Sequence, residues 1–100
     1  MKFQVRLLSV AENDLSEIIT YVSADNASAG HELLNQFEQS FDLLGQNPKI
    51  GKIPNERQLK KLGYRYWVVS NYLVFYMIRE HKIVVHRILH GARDYLELFR

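Results

Sequence analysis

Two hydrophobic periodicities divide this chain, and the switch between them restricts it to a fold that mixes helices with sheet. Val10, Ala11, Leu15, Ile18, Ile19 and Val22 recur at helical spacing, and so do Ala29, Leu33, Phe37, Phe41 and Leu44, with Leu34 and Leu43 beside them. That rhythm of three to four residues gathers one apolar stripe along a helix. From residue 64 onward the chain runs instead in short β-branched and aromatic stretches, 64–69, 72–78 and 82–89. Phe3, Val5 and Leu7 alternate with Lys2, Gln4 and Arg6, so a half-buried strand precedes the helices.

Local chemistry sets the expected boundaries. Ser9-Val10-Ala11-Glu12 reads as a capping box that opens the first helix, which then runs to about residue 24. Asp25-Asn26 is turn and cap chemistry before the second helix. That helix is expected to stop with Gly45 in a left-handed cap, ahead of Pro48. Residues 46–62 hold both prolines, Gly51 and the basic residues Lys49, Lys52, Arg57, Lys60 and Lys61, and read as one irregular stretch. Ser70-Asn71, with positive φ at Asn71, and Arg79-Glu80-His81 turn the three later strands into an antiparallel meander. The first strand has nowhere to pair except the edge of that meander. The expected architecture is therefore α+β, a β-α-α-β-β-β two-layer sandwich with an antiparallel sheet covered on one face by a helical hairpin.

One hundred residues make a single domain, 1–100, with no repeats and no interdomain linker. A chain of this size buries about 60–65% of its unfolded surface, enough for one core without staples. The absence of cysteine excludes a disulfide framework, thiolate catalysis and sulfur-ligated metal. The apolar run in residues 1–8 is too short for a signal peptide or a membrane helix, so a soluble cytoplasmic protein without membrane association is expected.

Charge is unevenly spread. Residues 1–48 carry two basic and seven acidic groups, net −5, whereas residues 49–100 carry eleven basic and four acidic, net +7. Such asymmetry marks a surface for a polyanion or an acidic protein, or else an ordinary solvated face that happens to segregate. Trp67, Tyr72, Phe75 and Tyr76 are expected in the core, because a small sheet needs large residues inside.

The chemistry-bearing residues are few. His86 and His90, four apart on a strand, would share a face about 13 Å apart, too far to hold one metal, and neither metal nor other cofactor is expected. No serine sits in a G-x-S-x-G context and no glycine loop suits a phosphate. Arg65, Tyr66 and Trp67 on one strand, with Arg79, Arg87 and Arg93, could converge into the arginine-plus-aromatic surface that serves single-stranded RNA and protein hot spots alike.

Residues 72–76, Tyr-Leu-Val-Phe-Tyr, and the run Ile83-Val84-Val85-His86-Arg87-Ile88-Leu89-His90-Gly91-Ala92-Arg93-Asp94-Tyr95 resemble the closing strands of RelE/ParE-family toxins. Ala11-Glu12-Asn13-Asp14-Leu15 with Ile18 and Tyr21 is similar to the family's first helix, and Leu44, Pro48 and Gly51 to the loop after its second. The resemblance is strongest to ParE-like members and implies the bacterial toxin of a type II toxin–antitoxin (plasmid stabilisation) system. Such a toxin binds DNA gyrase, is not an enzyme, and is held by a cognate antitoxin in a hetero-oligomer. The alternative it implies is a RelE-like, ribosome-dependent and metal-independent mRNA endonuclease. Arg65, Arg87, His90 and Arg93 would be the catalytic candidates for cleavage. The candidates for target or antitoxin binding are Arg65, Trp67, Arg79, Arg87 and Arg93. Strand residues 64–67 lack the lysines of the cleaving branch, which leaves its set incomplete.

Overall fold

In the computed structural model, which describes residues 2–91, alternation and helical rhythm resolve into seven elements. They are β1 (Gln4–Leu7), α1 (Ser9–Asp25), α2 (Ala27–Gln46), α3 (Arg57–Leu62), β2 (Arg65–Val69), β3 (Tyr72–Arg79) and β4 (Lys82–His90). The four strands form one sheet in the order β1-β4-β3-β2. The β2–β3–β4 meander is antiparallel as expected, and β1 pairs at its β4 edge. That last pairing is parallel, with Val5 opposite Ile83 and Leu7 opposite Val85, so the sheet is mixed rather than wholly antiparallel.

The α1–α2 hairpin lies on one sheet face. Ala11, Leu33, Phe37 and Leu44 from the helices meet Val69, Val74, Tyr76, Ile83, Val85 and Ile88 from the strands, all buried. Trp67 and Tyr72 pack against this core and Tyr76 is part of it, while Phe75 is fully enclosed on the other sheet face, so all four expected core aromatics pack inside the molecule. Each large side chain enclosed in this way stabilises the fold by about 1.5–3 kcal/mol.

The opposite face is not bare. Residues 57–62 are the short helix α3, not irregular chain, and its Leu59 packs with Phe75 and Leu89, flanked by Tyr64, Tyr66 and Leu73. Gly63, at φ 89°, ends α3 in the left-handed region that glycine tolerates. Among the described residues no helix is long and apolar enough to cross a membrane.

Several boundaries differ from expectation for identifiable reasons. Ser9 does not cap α1: Leu8 holds the cap position without a side-chain hydrogen bond. Leu8 donates its N–H to Val85 in the sheet while its carbonyl accepts from Glu12, so strand passes into helix at that one residue. Gly45 stays helical, and Asn47 caps α2. The glycine is there for close approach, since a Cβ would lie 2.8 Å from the Phe3 carbonyl oxygen. In the β2–β3 turn the positive φ falls on Ser70 (54°) rather than on Asn71, and in the β3–β4 turn it falls on Glu80 (57°).

Asn26 does cap α2 as expected, its side-chain oxygen accepting from the Ala29 N–H at 3.0 Å. Replacement by alanine is expected to cost about 1 kcal/mol, read as a lower urea midpoint with an unchanged slope. A midpoint equal to the parent's would mean that solvent satisfies that amide equally well.

Candidate functional site

The arginines singled out in sequence do not converge. Arg65 donates from Nη1 to the carbonyls of Lys49 (3.3 Å) and Gly51 (3.0 Å), pinning the loop that runs beside β2. Arg87 grips Asp14 of α1 with two bonds, Nε to Oδ2 at 2.8 Å and Nη2 to Oδ1 at 3.1 Å. Trp67 packs half-buried under the helical hairpin. His90 meets the Tyr72 ring edge-on at 5.6 Å, also on the hairpin side. Arg93 and Asp94 lie outside the described residues. Arg79 alone of the described candidates is exposed.

A β-bulge explains part of this. Phe75 stands opposite Arg87 and Tyr76 opposite Val85, so His86 is an extra residue in β4. The inserted residue shifts the alternation that follows. His86 therefore faces Tyr64 on the sheet face away from the hairpin, while His90 faces Tyr72 on the hairpin side. The expectation that these histidines share a face is thus corrected.

What the strands do bring together is a group on the face away from the hairpin. The Tyr64 hydroxyl and His86 Nδ1 are hydrogen-bonded at 3.1 Å, with their rings edge-on at 5.2 Å. Arg79, two residues beyond Met77 on β3, turns back so that its Nη2 donates to the Met77 sulfur at 3.2 Å. Lys82 is opposite Arg79, and Arg6 is opposite Val84, each at a position that alternates with the buried residues of its strand. Among the described residues neither Arg6, Arg79 nor Lys82 has a carboxylate partner; the ion pairs there are Lys2–Asp42 and Arg87–Asp14.

The charge asymmetry of the sequence becomes an asymmetry between layers. Glu12, Glu17, Asp25, Glu32, Glu38 and Asp42 are exposed on the hairpin, whereas Arg57, Lys60 and Lys61 are exposed on α3 across the sheet. Tyr64 and His86 were not among the sequence candidates, because alternation alone puts His86 and His90 on one face and cannot reveal an inserted residue. The basic stretch around α3 was the one available signal.

Burial, and then the positive charge of Arg79, hold the His86 imidazole below the ordinary histidine range. In the unfolded chain the ring titrates near its usual value of about 6.5. Between that value and the lower folded one, unfolding takes up a proton, so acid favours the unfolded chain. Stability is therefore expected to fall as pH drops from about 6.5 through the folded value. Urea unfolding across this window should show the slope in the parent and a flatter profile in His86→Gln. An identical slope in both would assign the effect elsewhere.

Two helices on a four-stranded sheet, with acidic and basic charge parted between the layers, define a class of small α+β proteins with known relatives. The fold is similar to a chain of the chromosomal ParDE toxin–antitoxin system from P. aeruginosa, with a TM-score of 0.73 at 14% identity, over 89% of this chain and 96% of that one. It is also similar to a chain of the toxin–antitoxin complex RelBE2 from Mycobacterium tuberculosis, with a TM-score of 0.63 at 24% identity, over 90% and 99% of the two chains. No curated protein sequence matches the chain. Residues 5–95 match the family described as the ParE toxin of the type II toxin–antitoxin system, parDE, and the chain belongs to that family.

Proposed function

We propose that this protein inhibits growth as the toxin of a type II toxin–antitoxin pair by binding DNA gyrase, without catalysis of its own, and that a cognate antitoxin neutralises it. The observation that carries the preference for binding over RNA cleavage is the dispersal of the cleavage candidates. Arg65 is spent on loop carbonyls, Arg87 on Asp14, and His90 packs against Tyr72 on the hairpin side. A cleavage centre needs its acid, base and charge-stabilising groups within reach of one phosphate. These three do not meet that requirement. Family membership supports the toxin role and, with it, an antitoxin partner. Tyr21 and Val10, exposed on the hairpin, are apolar positions open to such a partner.

The test is a supercoiling assay with purified gyrase, with and without the protein. Inhibition accompanied by accumulation of cleaved DNA is the expected result. No effect at large excess of folded protein, together with ribosome-dependent cleavage of mRNA, would replace this reading with the endonuclease one.

A further inference from the structure

We propose that the cavity between the turn after α2 and the adjoining end of the sheet binds a small amphipathic carboxylic acid, a medium-length hydrocarbon chain with one anionic head. The proposal goes beyond the toxin role and does not depend on it.

The first argument is the cavity itself. Phe3, just before β1, and Ile78, near the end of β3, line it from the sheet, and Asn47, Pro48, Lys49 and Ile50 line it from the turn that follows α2. Its volume is about 500 Å³, within the range of roughly 300–1,000 Å³ that sites for small organic molecules occupy. Phe3, Pro48, Ile50 and Ile78 make the lining mainly apolar. Ile50 is 40% exposed, so apolar surface remains for a ligand to cover.

The second argument is that the walls are fixed. The Tyr76 hydroxyl donates to the Pro48 carbonyl at 2.7 Å and accepts the Gly51 N–H at 3.0 Å. Arg65 holds the Lys49 carbonyl, and the Ile50 N–H donates to the Asn47 carbonyl at 3.0 Å. On the other wall the Phe3 N–H donates to the Gly45 carbonyl at 2.7 Å. Protein interiors ordinarily close up space of this size. Here the bonds hold the turn in place, and a ligand entering a preformed site has little ordering to offset.

The third argument is charge. Among the described residues Lys49 is the one charged side chain lining the cavity, and it has no carboxylate partner; the ion pairs there are Lys2–Asp42 and Arg87–Asp14. Lys2, beside Phe3, is thus neutralised, and the His81 ring meets Phe3 edge-on at 5.7 Å. The apolar lining selects a hydrocarbon body, and the lysine selects an anionic head over a neutral or cationic one.

The experiment is calorimetric titration at neutral pH with n-alkanoates from hexanoate to dodecanoate, each below its micellar concentration, and with the alcohols of the same lengths. Affinity is expected to rise about three- to fourfold per methylene while the chain still enters the cavity. It should level off once the cavity is full, with each alkanoate bound more tightly than its alcohol. Lys49→Gln should abolish the preference for the alkanoate and keep the dependence on chain length. Ile50→Trp, which takes the room of about two methylenes, should weaken every ligand roughly tenfold. Ile50→Glu, at the same partly exposed position, should weaken the alkanoates more than the alcohols. Each variant is first checked for a parental circular dichroism spectrum and melting curve, and either Ile50 variant suffices if the other fails to fold. Affinity that climbs with chain length without levelling, or that is unchanged in the folded Ile50 variant, would overturn the site in favour of adsorption on the general surface. Equal affinity for alkanoates and alcohols would overturn the assignment of an anionic head. Binding to vesicles of anionic lipid without binding to any dissolved alkanoate would replace the small acid with a lipid surface. No heat with any chain length would leave the cavity to solvent.

Discussion

Asp14→Ala is expected to destabilise the protein by about 3 kcal/mol, the cost of breaking a largely enclosed ion pair from one side. The side chain of Asp14 is 11% exposed and that of Arg87 37%. Besides its two bonds from Arg87, Asp14 Oδ2 accepts the backbone N–H of Ile88 at 3.0 Å. The position of that bond explains its weight. β1 pairs with β4 only as far as Val85, and just beyond it Leu8 leads the chain into α1. Ile88 would otherwise be left with an unpaired amide on the uncovered edge of β4, and a carboxylate one and a half turns into α1 takes the place of the missing strand. Removing it leaves one amide and one guanidinium without their acceptor, and loosens the helix from the sheet. For a domain of this size the melting temperature should fall by about 15 °C. Asp14→Asn keeps one acceptor oxygen and should lose distinctly less. Paired with Arg87→Met, the alanine variant should cost less than the two single changes added together, because the guanidinium left behind is gone. Strict additivity would mean that the two side chains are neighbours without being coupled.

The architecture could be read from the sequence where one period persisted long enough to exclude the other. Phe37, Phe41 and Leu44 continue a helical stripe that no strand would carry, and Tyr72 to Ile78 alternates between the two faces. Where periodicity had too few residues to act on, it gave nothing. The α3 segment Arg-Gln-Leu-Lys-Lys-Leu has a single buried position, Leu59, so its six residues look like any basic loop. Gly45 looked like a helix stop because a glycine before a proline usually is one. Its actual reason, the Phe3 carbonyl against the last turn of α2, lies more than forty positions away in the chain.

The site was less legible than the fold, since residue type shows what a side chain can do and not which partner has claimed it. Arg65, Arg79 and Arg87 are equivalent in sequence. Only the folded chain separates the one that ties a loop and the one that grips Asp14 from the one without an oxygen acceptor among the described residues. His86 was hidden by the bulge, which reverses the facing of everything after it on β4. A sequence carries no mark of that insertion, because Val-Val-His-Arg-Ile-Leu-His reads as a continuous strand. The charge asymmetry was the informative signal: it anticipated a basic surface, and the folded chain turns that surface away from the acidic hairpin.

The second large effect is expected at Gly51, where replacement by alanine should cost about 2–4 kcal/mol. A Cβ there would crowd the Tyr76 hydroxyl oxygen and lie 2.7 Å from Cε1 of the same ring and 2.9 Å from the Tyr66 carbonyl oxygen. Neither neighbour yields easily. Tyr76 is fully enclosed, and its hydroxyl accepts the Gly51 N–H at 3.0 Å while donating to the Pro48 carbonyl at 2.7 Å. Burial pushes the phenol above its ordinary range, against the opposing pull of the Gly51 amide and Arg65, so it remains a proton donor. Tyr66 is held by the reciprocal bonds between its backbone and that of Lys52, at 2.8 and 2.9 Å. Added volume must therefore either displace the ring or lift the loop from the edge of β2, and both routes break hydrogen bonds that water cannot readily replace. Tyr76→Phe alone should cost about 1–2 kcal/mol by stranding the amide and the carbonyl. In that background the hydroxyl oxygen is gone, and Gly51→Ala should cost measurably less than in the parent. Urea unfolding of the four chains measures the difference. If the alanine costs the same with or without the hydroxyl, the crowding lies at the Tyr66 carbonyl, and the loop rather than the ring is what gives way.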